Sequence, residues 1–466
     1  MSNQLTKADA KRKRKEGNPN NLFYALRTGG PIVWLSCIIM GLGNIFAGQF
    51  IKGLMFMAIE AAVIYLTVMP MGCIDRLKEV PGLGTVLKEE VWNDDLGVYE
   101  YVMHDESWKV LLYGVIAVAI FGFLIVIWQA SVRSGNVALT KKKSGKHVNS
   151  FWEDIKSLFD ENIHKLLMTF PFVCLIMFTV IPLVYMICMA FTNYSMDKNH
   201  TAMFDWIGWD VFKRFFNSTD TISRQFWGVL GWTLVWAFFA TFLNFFLGTF
   251  VAMIINRPTT KCKGLWRTLF SFTIAVPQFV SLLVINTMFQ REGIVNGMLI
   301  ENGFITAANK IQFLSDVNIA RVFVIIINLW VGIPYTIMQV TGILKNIPGD
   351  LYEAARIDGA NAVQQFLNIT LPYMIFVMTP YIITSFTGNI NNFNVIYLLT
   401  GGGPTNVGDD AGKTDLLVTW LYKMSVDQQK YNIAAVIGIF TFIVLAIISL
   451  ITYRSSGSYK DEEGFK

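Results

Sequence analysis

Long apolar runs, separated by short polar segments rich in Lys, Arg, Asp or Glu, set the pattern of the 466-residue chain. A helix needs about 20 apolar residues to cross the hydrocarbon core of a bilayer. Runs near 52–70, 109–131, 166–190, 227–255, 267–289, 319–343, 373–399 and 431–453 meet that length and predict about eight crossings. A further apolar stretch, 31–47, is short and broken by Gly41 and Gly43, with Gly48 just beyond it. It is expected to be re-entrant or interfacial. The fold class is therefore an all-α polytopic membrane protein.

Composition strengthens this reading. Hydrophobic residues make up 53% of the chain and charged residues only 15%, against about 25% charged in soluble domains. The five cysteines, Cys37, Cys73, Cys174, Cys188 and Cys262, show no CxxC spacing and read as small hydrophobes without a metal site. His104, His147, His164 and His200 are scattered in loops. The net charge of +5 is no nucleic-acid signature, because the cations cluster at the flanks of the apolar runs. A cleaved signal peptide is not expected, since the basic run 11–15 lies far from the first apolar stretch.

The loop charges set orientation. Segment 1–27 carries seven Lys/Arg, segment 132–165 seven, and segment 256–268 four with no acid. Segment 71–109 carries nine Asp/Glu against four Lys/Arg. This alternation places both termini inside. The expected layout is a basic cytoplasmic segment 1–30, N-terminal membrane helices over 31–165, a core over 166–453 and a cytoplasmic tail 454–466. No Walker A pattern occurs, so energy for uphill transport must come from an ion gradient or another subunit.

The most informative stretch is the inside loop 346–372, NIPGDLYEAARIDGANAVQQFLNITLP. Asp350 is expected to N-cap a helix over 351–358, with Glu353 three residues later in a variant capping box. Gly359 stands where a C′ glycine belongs. Asn361 and Gln364 repeat the box for a second short helix over about 362–368, and Pro372 opens the next membrane helix. Small residues Ala354, Ala355, Ala360 and Ala362 permit close approach by a partner. The plainer alternative is a connecting helix in which Glu353 is only a cap.

Glu353-Ala354-Ala355, Gly359 and Ile369-Thr370-Leu371-Pro372 resemble the EAA motif of permease subunits of ATP-binding-cassette importers. Over about 226–453 the chain looks like the larger permease of maltose/maltodextrin-type (MalF-like) importers. The stretches NLWVGIPY (328–335), SFTGNINNF (385–393), LLTGGGP (398–404) and TDLLV (414–418) carry that likeness. The resemblance implies a type I ABC importer permease fold in a bacterial cell membrane. It implies a coupling loop whose signature positions are Glu353, Ala354, Ala355, Asp358, Gly359, Leu371 and Pro372. It implies a second homologous permease, a cytoplasmic ATPase dimer and an extracellular sugar-binding lipoprotein as partners. The chain would itself be neither an enzyme nor a cofactor binder. One departure is clear: the outside loop 191–226 is too short for the folded insert of the Gram-negative maltose permease.

The last helices bear on cargo. Ser385, Asn389 and Asn392 are spaced i, i+4, i+7, and Asn328, Tyr335 and Gln339 i, i+7, i+11, each near one helical face. Asn391 and Asn394 flank the first set. Trp330 lies about 200° from Asn328 around an ideal helix. Amides both donate and accept, and no acid or base occurs in 322–344 or 373–408. That suits an uncharged, hydroxyl-rich solute, although asparagines also glue membrane helices together. The resemblance assigns Asn328, Trp330, Tyr335, Ser385, Asn389 and Asn392 to sugar contact, with maltose or maltodextrin as the expected oligosaccharide. Gln278, beside Pro277, is a further candidate.

Two rival functions remain at this level. Glu60, a carboxylate in the middle of an apolar run, is the one feature favouring a self-sufficient ion-coupled sugar transporter. A membrane-embedded enzyme would want clustered acids or histidines, and the acidic loop 75–106 shows no such spacing.

Overall fold

The computed structural model describes residues 20–84, 88–94, 96–103, 106–196, 203–257 and 259–455. The basic run 11–15, most of the tail after 454, His104 and His200 lie outside those residues. Among the described residues, seven helical runs are long and apolar enough to cross a membrane, or eight if a bent pair counts as one span. The bent pair falls on the run at 267–289, where helices Lys263–Ala275 and Gln278–Met288 meet at 85°. Pro277 causes the break. It has no N–H to give the preceding turn, and Val276 before it is extended at φ −76°, ψ 126°.

The described residues divide into two compact units. One runs up to Tyr194 and includes 203–206; the other runs from Ile207 and includes 195–196. The helix over Ile163–Met189, which the sequence groups with the core, packs in the first unit. There the Tyr185 hydroxyl donates to the Trp108 carbonyl at 3.3 Å.

In the first unit the 31–47 stretch forms two short helices, Pro31–Leu35 and Leu42–Ala47, joined through Gly41 at φ +82°. Small residues let it lie against the long helix Ser107–Lys143. A Cβ on Gly43 would sit 3.0 Å from Gly135 Cα. The turn is held by side chains from two other helices: the Gly41 N–H donates to Ser131 Oγ at 2.8 Å, and the Met40 N–H to Glu60 Oε2 at 2.7 Å. Glu60 thus serves as an acceptor for an otherwise orphaned backbone donor. The acidic loop departs from the all-helical expectation. Lys88–Asn93 and Val98–Met103 pair as an antiparallel hairpin, with Lys88 opposite Met103 and Asn93 opposite Val98.

The second unit is built on Thr221–Asn256, Val317–Leu344 and Leu371–Ile390. Trp236, Ala237, Ala240, Val324 and Ile390 form one fully buried cluster, and Ala252, Val340, Met374 and Met378 belong to a second. Glycines set the helix spacing, as expected where van der Waals contact rather than water exclusion drives association. A Cβ on Gly332 would meet the Asn244 amide at 2.6 Å, and one on Gly248 would meet Thr336 at 2.6 Å.

Candidate functional site

The loop after the 317–344 helix folds as a closed knuckle. Its first helix is Gly349–Ile357, with Pro348 as N-cap and no side-chain cap bond. Asp350 therefore lies inside the first turn rather than at the cap. Pro348, at φ −56° and ψ 129°, starts the helix earlier than the Asp350 reading expects. There Asp350 complements the positive helix end by charge alone. The helix closes as a Schellman motif on Gly359, at φ +79°. The Gly359 N–H donates to the Arg356 carbonyl at 3.1 Å, and the Ala360 N–H to the Ala355 carbonyl at 2.8 Å.

The Asn361–Gln364 box forms with both side chain–backbone bonds at 2.9 Å. The second helix does not stop near 368. Ala362–Gln365 passes through a π turn, Phe366–Thr370, straight into Leu371–Ile390. Pro372, at the second position of that helix, lacks the N–H that would bond back to the 368 carbonyl, and the wider turn accommodates the loss. Tyr352 and Thr370 hydroxyls bond at 2.8 Å and tie the first helix to the second.

This knuckle is closed by its own hydrogen bonds yet largely uncovered. Glu353, Ala354, Asp358 and Gly359 are exposed, Ala355 half-buried. Ile357 is 87% exposed, with Leu351, Val363 and Leu367 also bare. Four apolar side chains on a locally closed, polar-capped element are what a docking partner would cover.

The structure brings three of the six expected sugar-contact residues together. Asn392 Nδ2 donates to Asn328 Oδ1 at 3.3 Å and to Asn389 Oδ1 at 3.4 Å. Asn389 Nδ2 donates to Thr241 Oγ1 at 3.0 Å, and Trp236 Nε1 donates to the Asn389 carbonyl at 2.9 Å. Asn392 is not on the 371–390 helix, which ends at Ile390; it N-caps Phe393–Thr400 through the Val395 N–H. Thr241 and Trp236 sit in an aromatic run of the 221–256 helix with no polar periodicity to single them out. Ser385 is half-buried outside this network. Asn328 is 5% exposed, whereas Trp330 and Tyr335 are 46% and 48% exposed; Asn328, Tyr335 and Gln339 lie on one continuous helix, Val317–Leu344, that is covered at 328 and open at 335 and 339. Gln278 Oε1 accepts from Asn394 at 3.5 Å.

The GGGP and TDLLV stretches fold on one buried carboxylate. Asp415 accepts from Lys423 Nζ at 2.7 Å, the Gly412 N–H at 2.7 Å and Thr419 Oγ1 at 2.8 Å. A Cβ on Gly402, at φ +80°, would collide with it. Burial pushes the Asp415 carboxyl up, against the pull of Lys423. No local spacing in the sequence pairs residue 415 with 423.

Comparison with known proteins bears on the family of the chain. Residues 244–456 match the family described as binding-protein-dependent transport system inner membrane component. The galactooligosaccharides transport system permease protein GanP of Bacillus subtilis is 32% identical, over 92% of this chain and 99% of that protein. The maltodextrin permease MdxF of the same organism is 32% identical, over 92% and 96%. Escherichia coli MalF, a maltose/maltodextrin permease, is 35% identical over 53% of this chain and 49% of its own length. A solved bacterial alginate ABC transporter in complex with a pentasaccharide-bound periplasmic protein shares the fold, with a TM-score of 0.53 at 23% identity over 66% of this chain and 98% of that one. The chain, with its several membrane-spanning helices, belongs to the family of binding-protein-dependent transport system inner membrane components.

Proposed function

We propose that this chain is the permease subunit of an ATP-driven oligosaccharide importer, with the 349–370 knuckle as the element through which a cytoplasmic ATPase drives alternating access. The observation that carries this reading is the knuckle itself: closed by its own hydrogen bonds, continuous with a membrane helix, and exposing Leu351, Ile357, Val363 and Leu367. A second permease and an extracellular sugar-binding protein complete the assembly, and both termini lie on the knuckle's side of the membrane. Alternating access is then a population shift between two states, biased by ATP at one side and by loaded receptor at the other.

The cargo is a neutral oligosaccharide met by the Asn328–Asn389–Asn392 amides, with Trp330 and Tyr335 as stacking faces. Asn392's contacts of 3.3 and 3.4 Å are at the long end for amide hydrogen bonds, so a sugar hydroxyl can take them over at small cost. Relatives named for maltodextrin and for galactooligosaccharides both fit such walls; we favour maltodextrin on the NLWVGIPY and SFTGNINNF stretches. Vesicles holding the chain with its ATPase, second permease and receptor test the function. Uptake of labelled maltotriose should require ATP and survive an uncoupler. Deletion of 351–360 should abolish it; normal ATP-dependent uptake by that variant overturns the reading. Uptake that collapses with the ion gradient would restore the ion-coupled alternative. Galactooligosaccharide displacing maltotriose from the receptor would reassign the cargo.

A further inference from the structure

The first unit carries a cavity apart from the residues described so far as the candidate site. A polar pocket of about 270 Å³ is lined by Lys52, Arg133, Lys141, Asp154, Gln49 and Asn149 among others. A mainly apolar groove of about 400 Å³ is lined by Met55, Phe56, Ile59, Phe151, Ile155 and Leu158. Lys52 and Asp154 belong to both walls, so the two spaces adjoin. Asp154 is matched by Lys52 at 2.7 Å. That leaves Arg133 and Lys141 as uncompensated cations of the pocket. The Lys141 ammonium has no hydrogen bond or ion pair among the described residues, and Arg133 gives one N–H to Gln129 at 3.2 Å.

We propose that this cavity is a binding site for one anionic glycerophospholipid of the leaflet bordering the basic face. The phosphate would sit between Arg133 and Lys141, where charge and multiple N–H donors suit it. Acyl chains would lie in the adjoining groove. Three features point to a lipid rather than a soluble anion. The groove wall is supplied by the short helix Phe151–Phe159, fixed by the Ser150–Glu153 capping box. Its Phe151, Ile155 and Leu158 recur at i, i+4, i+7 toward the groove while Glu153 and Lys156 face away, the pattern of a helix lying in a membrane interface. The pocket lies where the Lys141-Lys142-Lys143 end of the long helix meets the start of the Phe50–Val68 helix, which is where a bilayer presents its headgroups. Apolar and cationic surface are joined at one rim, matching a molecule with both parts.

The test uses the full-length chain in detergent, titrated with phosphatidylglycerol or phosphatidylcholine and read by native mass spectrometry. Phosphatidylglycerol should be retained preferentially. Arg133→Gln with Lys141→Gln should weaken its retention about 30-fold, from two interfacial charges. The same charge change placed elsewhere, Lys261→Gln with Lys345→Gln, should leave retention unaltered. Glycerol 3-phosphate should not compete. Melting in phosphatidylcholine checks that both double variants fold. Equal retention of the two lipids, unchanged retention in the pocket variant, or an equal loss in the control pair overturns the site. Effective competition by glycerol 3-phosphate would make it a soluble-phosphate site instead.

Discussion

The Tyr352 hydroxyl meets the Thr370 hydroxyl at 2.8 Å, with Thr370 buried at the π turn that opens the next membrane helix. This is the one side chain–side chain bond across the knuckle among the described residues. Tyr352→Phe removes it and leaves a buried hydroxyl, a loss of about 1 kcal/mol. The expected result is ATPase activity near normal with sugar uptake per ATP reduced. Measuring both in the same vesicles checks it; parallel loss of the two would mean that the bond serves folding alone.

Gly359 separates strain from crowding. A Cβ there would meet nothing within 4 Å, yet φ is +79°. Gly359→Ala should therefore cost about 1–2 kcal/mol for conformation alone, and Gly359→Asn less, since Asn tolerates the left-handed region. Uptake should rank Gly, then Asn, then Ala. Equal defects in Asn and Ala would point to a partner contact at that position rather than to backbone strain.

The amide cluster makes a prediction about affinity. Asn389→Ala takes away the acceptor for Asn392 and the donor to Thr241. A neutral hydrogen bond contributes about 1 kcal/mol, so the half-saturating concentration of maltotriose for uptake should rise roughly fivefold with the maximal rate less affected. A lowered maximal rate at unchanged half-saturation would make the cluster helix glue instead.

Breaking the Asp415–Lys423 pair should be severe. Asp415→Ala leaves Lys423, itself mostly covered, without its partner, and such losses run about 3–5 kcal/mol. Asp415→Asn keeps the shape and should cost less. Thermal melting of the purified chain reads both. A melting point unaltered in the alanine variant would contradict the role given to this carboxylate.

Asp220 supplies the pH dependence. It N-caps the 221–256 helix through the Ile222 N–H at 2.9 Å and pairs with Arg214 Nε at 2.9 Å. Burial acts to raise its carboxyl, but the Arg214 hydrogen bond, the Ile222 N–H and the Arg214 charge outweigh this and hold it below the ordinary value of 3.8. A depressed acid contributes stability that is complete above its unfolded value, about pH 4, and is lost as pH falls through the lower folded value. Asp220→Asn, which keeps a capping oxygen, should flatten that part of the melting-point profile below pH 4. An unaltered acid limb in the variant would place the effect elsewhere.

What could be read from sequence was local or periodic. Span positions followed from hydropathy, the Gly359 closure from a residue tolerant of positive φ, and the Asn361–Gln364 box from its spacing. Asp350 was misplaced because Pro348 and Asp350 are both good helix starters, and side-chain type alone does not choose between them. The 88–103 hairpin left a trace, KEEVWN and VYEYVM around a glycine turn, masked by its acidity. The rest depends on pairings across the chain. Glu60 with Met40, Asp415 with Lys423, and Thr241 with Asn389 join residues whose meeting is decided by helix packing. Asn328 and Tyr335 differ in burial, 5% against 48%, because spacing tells which face residues share and not what covers that face.

From Ala362 to Ile390 the backbone is helical without interruption, the π turn included. At about 1.5 Å per residue that is a strut of some 40 Å, with the exposed knuckle at its foot and Asn389 near its head. A tilt at the foot therefore reaches Asn389 along one backbone, with the π turn and Pro380 as the two places where that strut can bend.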